Sequence, residues 1–419
     1  MDADGLAAAA VMAKALGRIG HAFTVRASRD KTQAALLATL DEDVGGVLLL
    51  DKGSLHAAPL AARAKEVGRP LVVIDHHSVG DPVDEHDGFA MVNPRLSGLD
   101  GSHDACSSTT AVAVALALAG PDCIDLAPSA LVGAIGDWQH VDGWQGWNLE
   151  ILQGAKAAGH IVPRPAPRLG GGPLAPALAR FSDPPFDQQG DVAAAAAWLA
   201  GLGLDPDAPI DLVEGDDLTR LTSALVAQLV ARGEPTERIE ALMGELPVHQ
   251  KLGVTLRAAF GIVDACAREE RSGLGLAFLM GDRSAASSAR GVFDAYRQAL
   301  RQGLEELRAK GTTRLRAIQW AWTRRHAYTG MVAGLGMMHA LPQPDLPAVV
   351  MAKRPDGLVQ ASARGLAPMV DAGLDLGAAM ATAAAAAGGE GGGHPVAAGA
   401  VVPEAAVETF LAALDEALA

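Results

Sequence analysis

LVVIDHH, residues 71–77, decides how the chain is read. Leu71, Val72, Val73 and Ile74 form an apolar run without alternation, the pattern of a strand covered on both faces in a parallel sheet. The run ends on one carboxylate and two imidazoles, Asp75, His76 and His77. In an open α/β sheet, ligands gather outside the carboxyl ends of the strands, so these side chains are expected in the crevice where chemistry happens. A single Asp and His there would pass for a core ion pair. Three metal-competent side chains in succession point to a site.

Three other stretches repeat this grammar. Residues 46–51, GVLLLD, read as a second buried strand delivering Asp51, with Lys52 and Gly53 as the turn. Residues 131–137, LVGAIGD, are a third apolar segment, ending on Asp137. The chain opens with Asp2 and Asp4 ahead of an Ala-rich helical pattern over 6–16. These four termini are expected to converge on one point. Carboxylates with one or two imidazoles and no thiolate suit Mn or Mg. Crowded carboxylates repel one another, and divalent cations neutralise them. Two ions bridged by a carboxylate and a water would activate hydroxide for in-line attack on phosphorus, so phosphodiester hydrolysis is the expected chemistry.

In this order, Asp-x-Asp-Gly, strand-Asp, Asp-His-His and Gly-Asp, the motifs resemble those of the DHH phosphoesterase superfamily. GGGHPVAAGA, residues 391–400, resembles the glycine-rich signature of the DHH-associated domain of RecJ-type nucleases. Ser362 and Arg364 in VQASARG fit the serine and arginine that precede it. Within the superfamily the sequence is most similar to the archaeal RecJ-like nucleases, including those that associate with the GINS replication complex.

The resemblance implies a RecJ-like exonuclease that hydrolyses single-stranded DNA or RNA with two Mn or Mg ions. Asp2 and Asp51 would bind one ion and Asp4, Asp51, His76 and Asp137 the other, with Asp51 bridging. Asp75 would orient a histidine, and His77 would contact the scissile phosphate or assist the leaving oxygen. Ser362, Arg364, Gly391, Gly392, Gly393 and His394 would hold the terminal phosphate or nearby backbone. Two alternatives stand beside this. One is a small phosphoesterase for very short oligonucleotides, phosphoadenosine phosphate or cyclic dinucleotides; the other is a GINS-binding replisome scaffold with a decayed site. The family's first motif also carries a ligand two positions before Asp2, ahead of Met1, and the expectation is a start codon assigned too late.

The expected fold is α/β: a catalytic domain with a parallel sheet over 1–160, a loop-rich helical insert over 161–250, a connecting helical region over 251–312, and a smaller α/β domain with a mixed sheet over 313–419. Helices are expected over 7–16, 32–40 and 60–67, and strands over 21–26, 47–50 and 71–74, an alternation that implies right-handed crossovers. SSTT, at 107–110, suits a helix N-terminus that is simply capped or holds a phosphate oxygen. His140 is read either as a substrate contact or as an ordinary exposed histidine. Helices follow over 193–202, 218–231 and 236–246, and the resemblance associates this insert with partner binding. DACARE, 264–269, is similar to an Asn-Ala-Cys-Gly-Arg element of the family, but Asp264 and Ala267 depart from it and weaken a DNA role for Arg268. A long helix over 287–307 leads to the C-terminal part. There Ile318, Trp320 and Trp322 alternate along a strand. Arg314, Arg316, Arg324, Arg325 and His326 would follow a single strand or simply be solvated. Strands over 348–351 and at LVQASARG precede a helix over 376–387 that stops at Gly388 and Gly389. The loop of Gly391 to Gly393 would let the backbone approach an anion. Val407, Phe410, Leu411, Leu414 and Leu418 read as the core face of a last helix.

The 419 residues carry a net charge of -15. Phosphate contacts are therefore expected from metals and local basic patches rather than from overall charge. Cys106, Cys123 and Cys266 show no metal spacing, and residues 111–119 are too short an apolar run to span a bilayer. Asp2 and Asp4 stand where a signal peptide would be basic. A cytoplasmic protein is expected.

Overall fold

The computed structural model describes residues 2–83, 87–141, 143–169, 172–182, 184–341 and 345–419. Met1, on which the first-motif expectation bears, lies outside them. LVVI forms β2 (Leu71–Ile74), the middle strand of a parallel sheet between β1 (Val47–Leu50) and β3 (Phe89–Val92). With α2 (Gln33–Ala38) and α3 (Ala57–Val67), one face of this sheet encloses Leu36, Leu49, Leu60, Leu71, Val73 and Phe89. Ile74 belongs to a second core, built from α1 (Ala3–Arg18), α4 (Ser107–Ala119) and α5 (Ala127–Gly136). Each large side chain sealed there, Leu6 or Leu131 for instance, contributes about 1.5–3 kcal/mol. Alanines and glycines let the three helices approach closely. A Cβ on Gly133 of α5 would lie 2.2 Å from Ser108 Oγ and 2.5 Å from Asp4 Oδ1.

One sequence expectation changes here, and one segment whose form was open takes it. Residues 21–26 are not a strand: they run unpaired, with Phe23 and Val25 41% and 42% exposed, and strand propensity without a neighbouring strand forms no ladder. Residues 131–137 are the last turns of α5 with Asp137 as C-cap, and the segment is apolar all round because the helix is buried on every side.

After α6 (Gly146–Ala157) the edge strand β4 (Ile161–Pro167) pairs with β5 (Met243–His249), which pairs in turn with β6 (Val254–Thr255). Pro163, Pro165 and Pro167 fall at every second position of this edge, where a missing N–H leaves the ladder intact. Between β4 and β5, α7 (Leu174–Arg180), α8 (Val192–Gly201), α9 (Gly215–Ala231) and α10 (Thr236–Leu242) enclose a core of their own around Leu178, Phe186, Leu199, Leu221 and Leu225. The helix expected through 246 thus stops at Leu242, because 243–249 is drawn into the sheet. α11 (Leu256–Arg268) and α12 (Ser272–Leu279) complete the core around α1. On α11, Arg268 pairs with Asp264 at 2.7 Å, so the residue that departs from the family element supplies its partner.

The chain divides into two compact units, residues 1–293 and 294–419, and α13 (Arg283–Lys310) begins in the first and ends in the second. The second unit is a mixed six-stranded sheet in the order β11-β12-β10-β9-β8-β7. Its strands are β7 (Thr313–Arg314), β8 (Gln319–Trp322), β9 (Ala348–Lys353), β10 (Leu358–Arg364), β11 (Glu390–His394) and β12 (Ala397–Pro403). α14 (Thr329–Leu335) and α15 (Ala367–Asp371) are short; α16 (Leu376–Ala386) and α17 (Val407–Ala417) close a core of Val349, Met351, Ala361, Met380, Phe410 and Leu414. In the basic cluster, Arg314 pairs with Asp345 at 2.8 Å and Arg324 with Glu306 at 2.6 Å, while Arg325 lies 5.1 Å from the centre of the Tyr328 ring.

Gly391 to Gly393 lie in strand β11 rather than in a loop. A Cβ on Gly391 would meet the Met380 carbonyl oxygen at 2.6 Å, and one on Gly393, whose φ is 149°, would meet Ala398 Cα at 2.6 Å. Replacing Gly393 with Ala is expected to destabilise the protein by about 2 kcal/mol through this clash and the strained φ. Urea denaturation measures it, and an unchanged midpoint would refute the packing account. Among the described residues, no helix is long and apolar enough to cross a membrane.

Candidate metal centre

The strand ends and two helix ends bring the first-unit residues together. Asp51 follows β1 with a φ of 60°, a left-handed conformation that turns the chain sharply at the sheet's edge. Asp75, His76 and His77 follow β2. Asp2 caps α1, accepting from the Gly5 N–H at 3.2 Å, and Asp4 sits in its first turn. Asp137 caps the end of α5.

Asp4 is 1% exposed and accepts from the backbone N–H groups of Ser107 (2.8 Å) and Ser108 (2.9 Å) and from the Ser108 hydroxyl (2.5 Å). The N-terminus of α4, read as a possible phosphate holder, is thus engaged by a carboxylate, and its N-cap is Cys106. Ser107 Oγ donates to Asp51 at 3.2 Å. Asp51 also shares a hydrogen bond with Asp2, and Lys31 Nζ lies 3.9 Å from its other oxygen.

Asp75 is 1% exposed and holds the two histidines in place. Its carboxylate accepts from the N–H groups of Ser54 (2.9 Å), His76 (2.8 Å) and His77 (3.2 Å) and from His77 Nδ1 (2.7 Å). Burial alone would raise its pKa, but these donors, His77 foremost, hold it well below the usual carboxylate range.

His76 is fixed by a backbone carbonyl. Its Nδ1 lies 2.6 Å from Gly101 O, and since a carbonyl only accepts, Nδ1 carries the proton and Nε2 a lone pair. That lone pair faces Asp137 Oδ2 at 3.4 Å, Asp51 Oδ1 at 3.6 Å and Asp4 Oδ2 at 4.0 Å. A lone pair facing three carboxylate groups is an arrangement that a cation between them satisfies. Asp137 Oδ2 is itself buried without a hydrogen-bond partner. Ligand atoms of Asp4, His76 and Asp137 lie within 4.8 Å of one another, as do those of Asp51, His76 and His77. The residues present therefore fit a Mn or Mg centre. Burial, then the charges of Asp4 and Asp2, push the Asp137 carboxyl up to about 9 and Asp51 well above the usual range.

Several positioning groups were not read in the sequence. Gly101 O also accepts from Gln139 Nε2 at 2.9 Å; Asn148 Nδ2 bonds Gln139 Oε1 at 2.7 Å and His103 O at 3.1 Å. This buried chain holds the carbonyl that sets the His76 tautomer. Gln139→Leu is expected to weaken Mn binding about 10–100-fold by calorimetry, the usual cost of losing such a support; an unchanged affinity would remove Gln139 from the relay. His140 stands outside the cluster. Its Nε2 lies 3.0 Å from Arg257 Nη1, and burial with that charge lowers its pKa to about 4.

In the second unit, strand register aligns the remaining candidates. Ser362 pairs with Gly399 and Gly399 with Gly392; Arg364 pairs with Ala397 and Ala397 with His394. Paired residues and those two apart share a face, so Ser362, Arg364, Gly392 and His394 lie on one face of the sheet. Gly391 and Gly393 alternate to the other, where Ala361, Ala363, Ala398 and Ala400 are buried. Ser362 Oγ is 2.8 Å from Thr329 Oγ1.

The family model described as DHH family, N-terminal domain, matches residues 1–132, and that described as DHHA1 domain matches residues 332–419. An uncharacterized protein of Methanocaldococcus jannaschii is 26% identical over 430 residues, covering 99% of this chain and 91% of the relative. Among solved structures, RecJ of Thermus thermophilus in complex with Mn2+ is 18% identical with a TM-score of 0.57. The match covers 99% of this chain, which spans only 50% of that RecJ. An exonuclease RecJ bound to manganese matches at 19% identity and a TM-score of 0.57, over 99% of this chain and 87% of its own. CDC45 of Entamoeba histolytica matches at 10% identity and a TM-score of 0.63, over 100% of this chain and 93% of its own. At these identities the structural likeness establishes the fold.

Proposed function

Because the chain belongs to the DHH superfamily and carries a C-terminal DHHA1 domain, we propose that it is a metal-dependent phosphodiesterase, a RecJ-like exonuclease on single-stranded DNA or RNA. The observation that carries this reading is the His76 Nε2 lone pair set among the oxygens of Asp4, Asp51 and Asp137. In this reading Asp2 and Asp51 hold one divalent ion, and Asp4, Asp51, His76 and Asp137 the other. Such ions supply a hydroxide nucleophile and neutralise charge on phosphate oxygens when bound. His77 donates its Nδ1–H to Asp75, and when the half-exposed ring is protonated its Nε2–H donates to a phosphate oxygen or passes a proton to the leaving oxygen. Ser362, Arg364, Gly392 and His394 line one face suited to a terminal phosphate or nearby backbone. The clustering of Asp4, Asp51, His76 and Asp137 favours catalysis over a GINS-binding role with a decayed site.

End-labelled single-stranded DNA and RNA incubated with Mn test this. Stepwise, Mn-dependent release of mononucleotides is expected. Faster cleavage of two-nucleotide substrates than of long strands would instead identify a small-oligonucleotide phosphoesterase. A folded, Mn-binding protein that cleaves neither would overturn the enzyme reading.

A further inference from the structure

A cleft of about 300 Å³ opens beside the acidic cluster, lined by His76, His77, Ser78, Arg95, Gly101, Ser102, Asp137 and Gln139. Among these described residues Arg95 is the one permanent cation. It follows Asn93 and Pro94, and Asn93 Oδ1 accepts its N–H at 3.0 Å in an N-cap. The guanidinium is stretched between fixed points: Nε donates to the His76 carbonyl at 2.9 Å, and Nη2 lies 3.2 Å from Ser102 Oγ and 3.9 Å from Asp100 Oδ1. The His76 carbonyl belongs to the residue whose ring faces Asp4, Asp51 and Asp137, so Arg95 is tied to the centre without touching its ligand atoms. Gly101 lies against it, since a Cβ there would fall 2.9 Å from Arg95 Nε and 2.3 Å from the His76 carbonyl oxygen. The side chain is still 37% exposed. In a protein of net charge -15, an arginine fixed beside the acidic cluster and open to solvent is placed to accept an anion.

We propose that Arg95, with the half-exposed His77 across the cleft, forms a second phosphate subsite that takes the phosphodiester next to the one being cleaved. This rests on the phosphodiesterase reading and deepens it, because the site then prefers a substrate with at least two phosphates in succession. A planar fork already oriented by the His76 carbonyl loses little freedom on meeting a phosphate. The subsite also discriminates between a strand and an isolated phosphodiester, which has nothing to offer Arg95.

Two arms test the subsite. In an Asp51→Asn background, binding of a fluorescent ten-nucleotide strand is followed by anisotropy with and without Arg95→Gln, at several salt concentrations. The substitution is expected to weaken binding about 10- to 100-fold, as for loss of a charged hydrogen-bond partner. It should also reduce the salt slope by about 0.7, one phosphate contact on a single strand. Arg95→Lys, which keeps the charge and loses the fork, should restore only part of the affinity. In the otherwise unaltered protein, Arg95→Gln should raise KM far more than it lowers kcat on the strand. Its loss on bis(p-nitrophenyl) phosphate, which has one phosphate, should be at least tenfold smaller. Unchanged strand binding, equal losses on both substrates, or weakened Mn binding by calorimetry would each overturn the subsite; the last would make Arg95 a strut for His76. If the unaltered protein hydrolyses neither substrate while strand binding still depends on Arg95, the phosphodiesterase reading falls and the subsite stands.

Discussion

Asp51→Asn will abolish Mn-dependent hydrolysis, by about 10³-fold or more, while raising the melting temperature of the metal-free protein. Both effects come from the position of one carboxylate. Asp51 is 4% exposed, hydrogen-bonded to Asp2, and close to Asp4 and Asp137, whose charges add to burial in keeping its proton on. Without a divalent ion this crowding destabilises the fold, and the neutral amide relieves it. Asn is the informative replacement because it tolerates the left-handed φ of 60° that Ala would strain. An end-labelled strand assay and thermal unfolding read the two consequences, and calorimetry with Mn reads the weakened metal binding that accompanies the first. Activity within tenfold of the parent would remove Asp51 from the centre.

The second large effect is a pH dependence of stability that metal suppresses. Burial and the neighbouring carboxylates push the Asp137 carboxyl from its ordinary 3.8 up to about 9, and Asp51 is shifted in the same direction. For an acid whose folded pKa is raised, the native state binds the proton more tightly. Its stabilising contribution is complete below the unfolded pKa and is lost as pH rises through the folded one. The metal-free melting temperature should therefore fall between about pH 4 and pH 9. Asp75 acts oppositely: its depressed pKa contributes stability above the unfolded value, lost as pH falls toward the folded one. Saturating Mn binds the deprotonated carboxylates, so it should flatten the alkaline fall, and Mn affinity should rise with pH. Thermal scans from pH 5 to 9 with and without Mn decide it; a metal-free melting temperature that rises over this range would contradict the crowding of Asp2, Asp4, Asp51 and Asp137.

The residues legible in the sequence are those whose position follows from a chain pattern. An apolar run without alternation marks β1 and β2, and the polar residues that end them, Asp51, Asp75, His76 and His77, meet in the folded chain because parallel strands deliver their carboxyl ends to one side. Asp137 was found by the same pattern, although its segment is a helix; a short apolar run does not distinguish a buried strand from a buried helix. The Gly101 carbonyl that fixes His76 is a backbone atom, Gln139 reaches it from far along the chain and Asn148 holds Gln139, so no local pattern marks them. Residues 21–26 show the converse: Phe23 and Val25 have strand propensity, yet that propensity needs a neighbour to pair with. In the second unit the glycines of β11 were conspicuous, but packing against Met380 and Ala398 accounts for two of them.

The close approach of α1, α4 and α5 makes the centre brittle in a way its ligands do not reveal. Asp4 is held where a hydrogen on Gly133 leaves room for it, so geometric accuracy at the carboxylates depends on the absence of atoms in a neighbouring helix. Sequence change is therefore constrained well beyond the groups that touch an ion. A methyl group at Gly133 displaces a ligand without removing one, and random mutagenesis of this protein should recover inactive variants in the middle of α5 that retain every acidic and imidazole side chain.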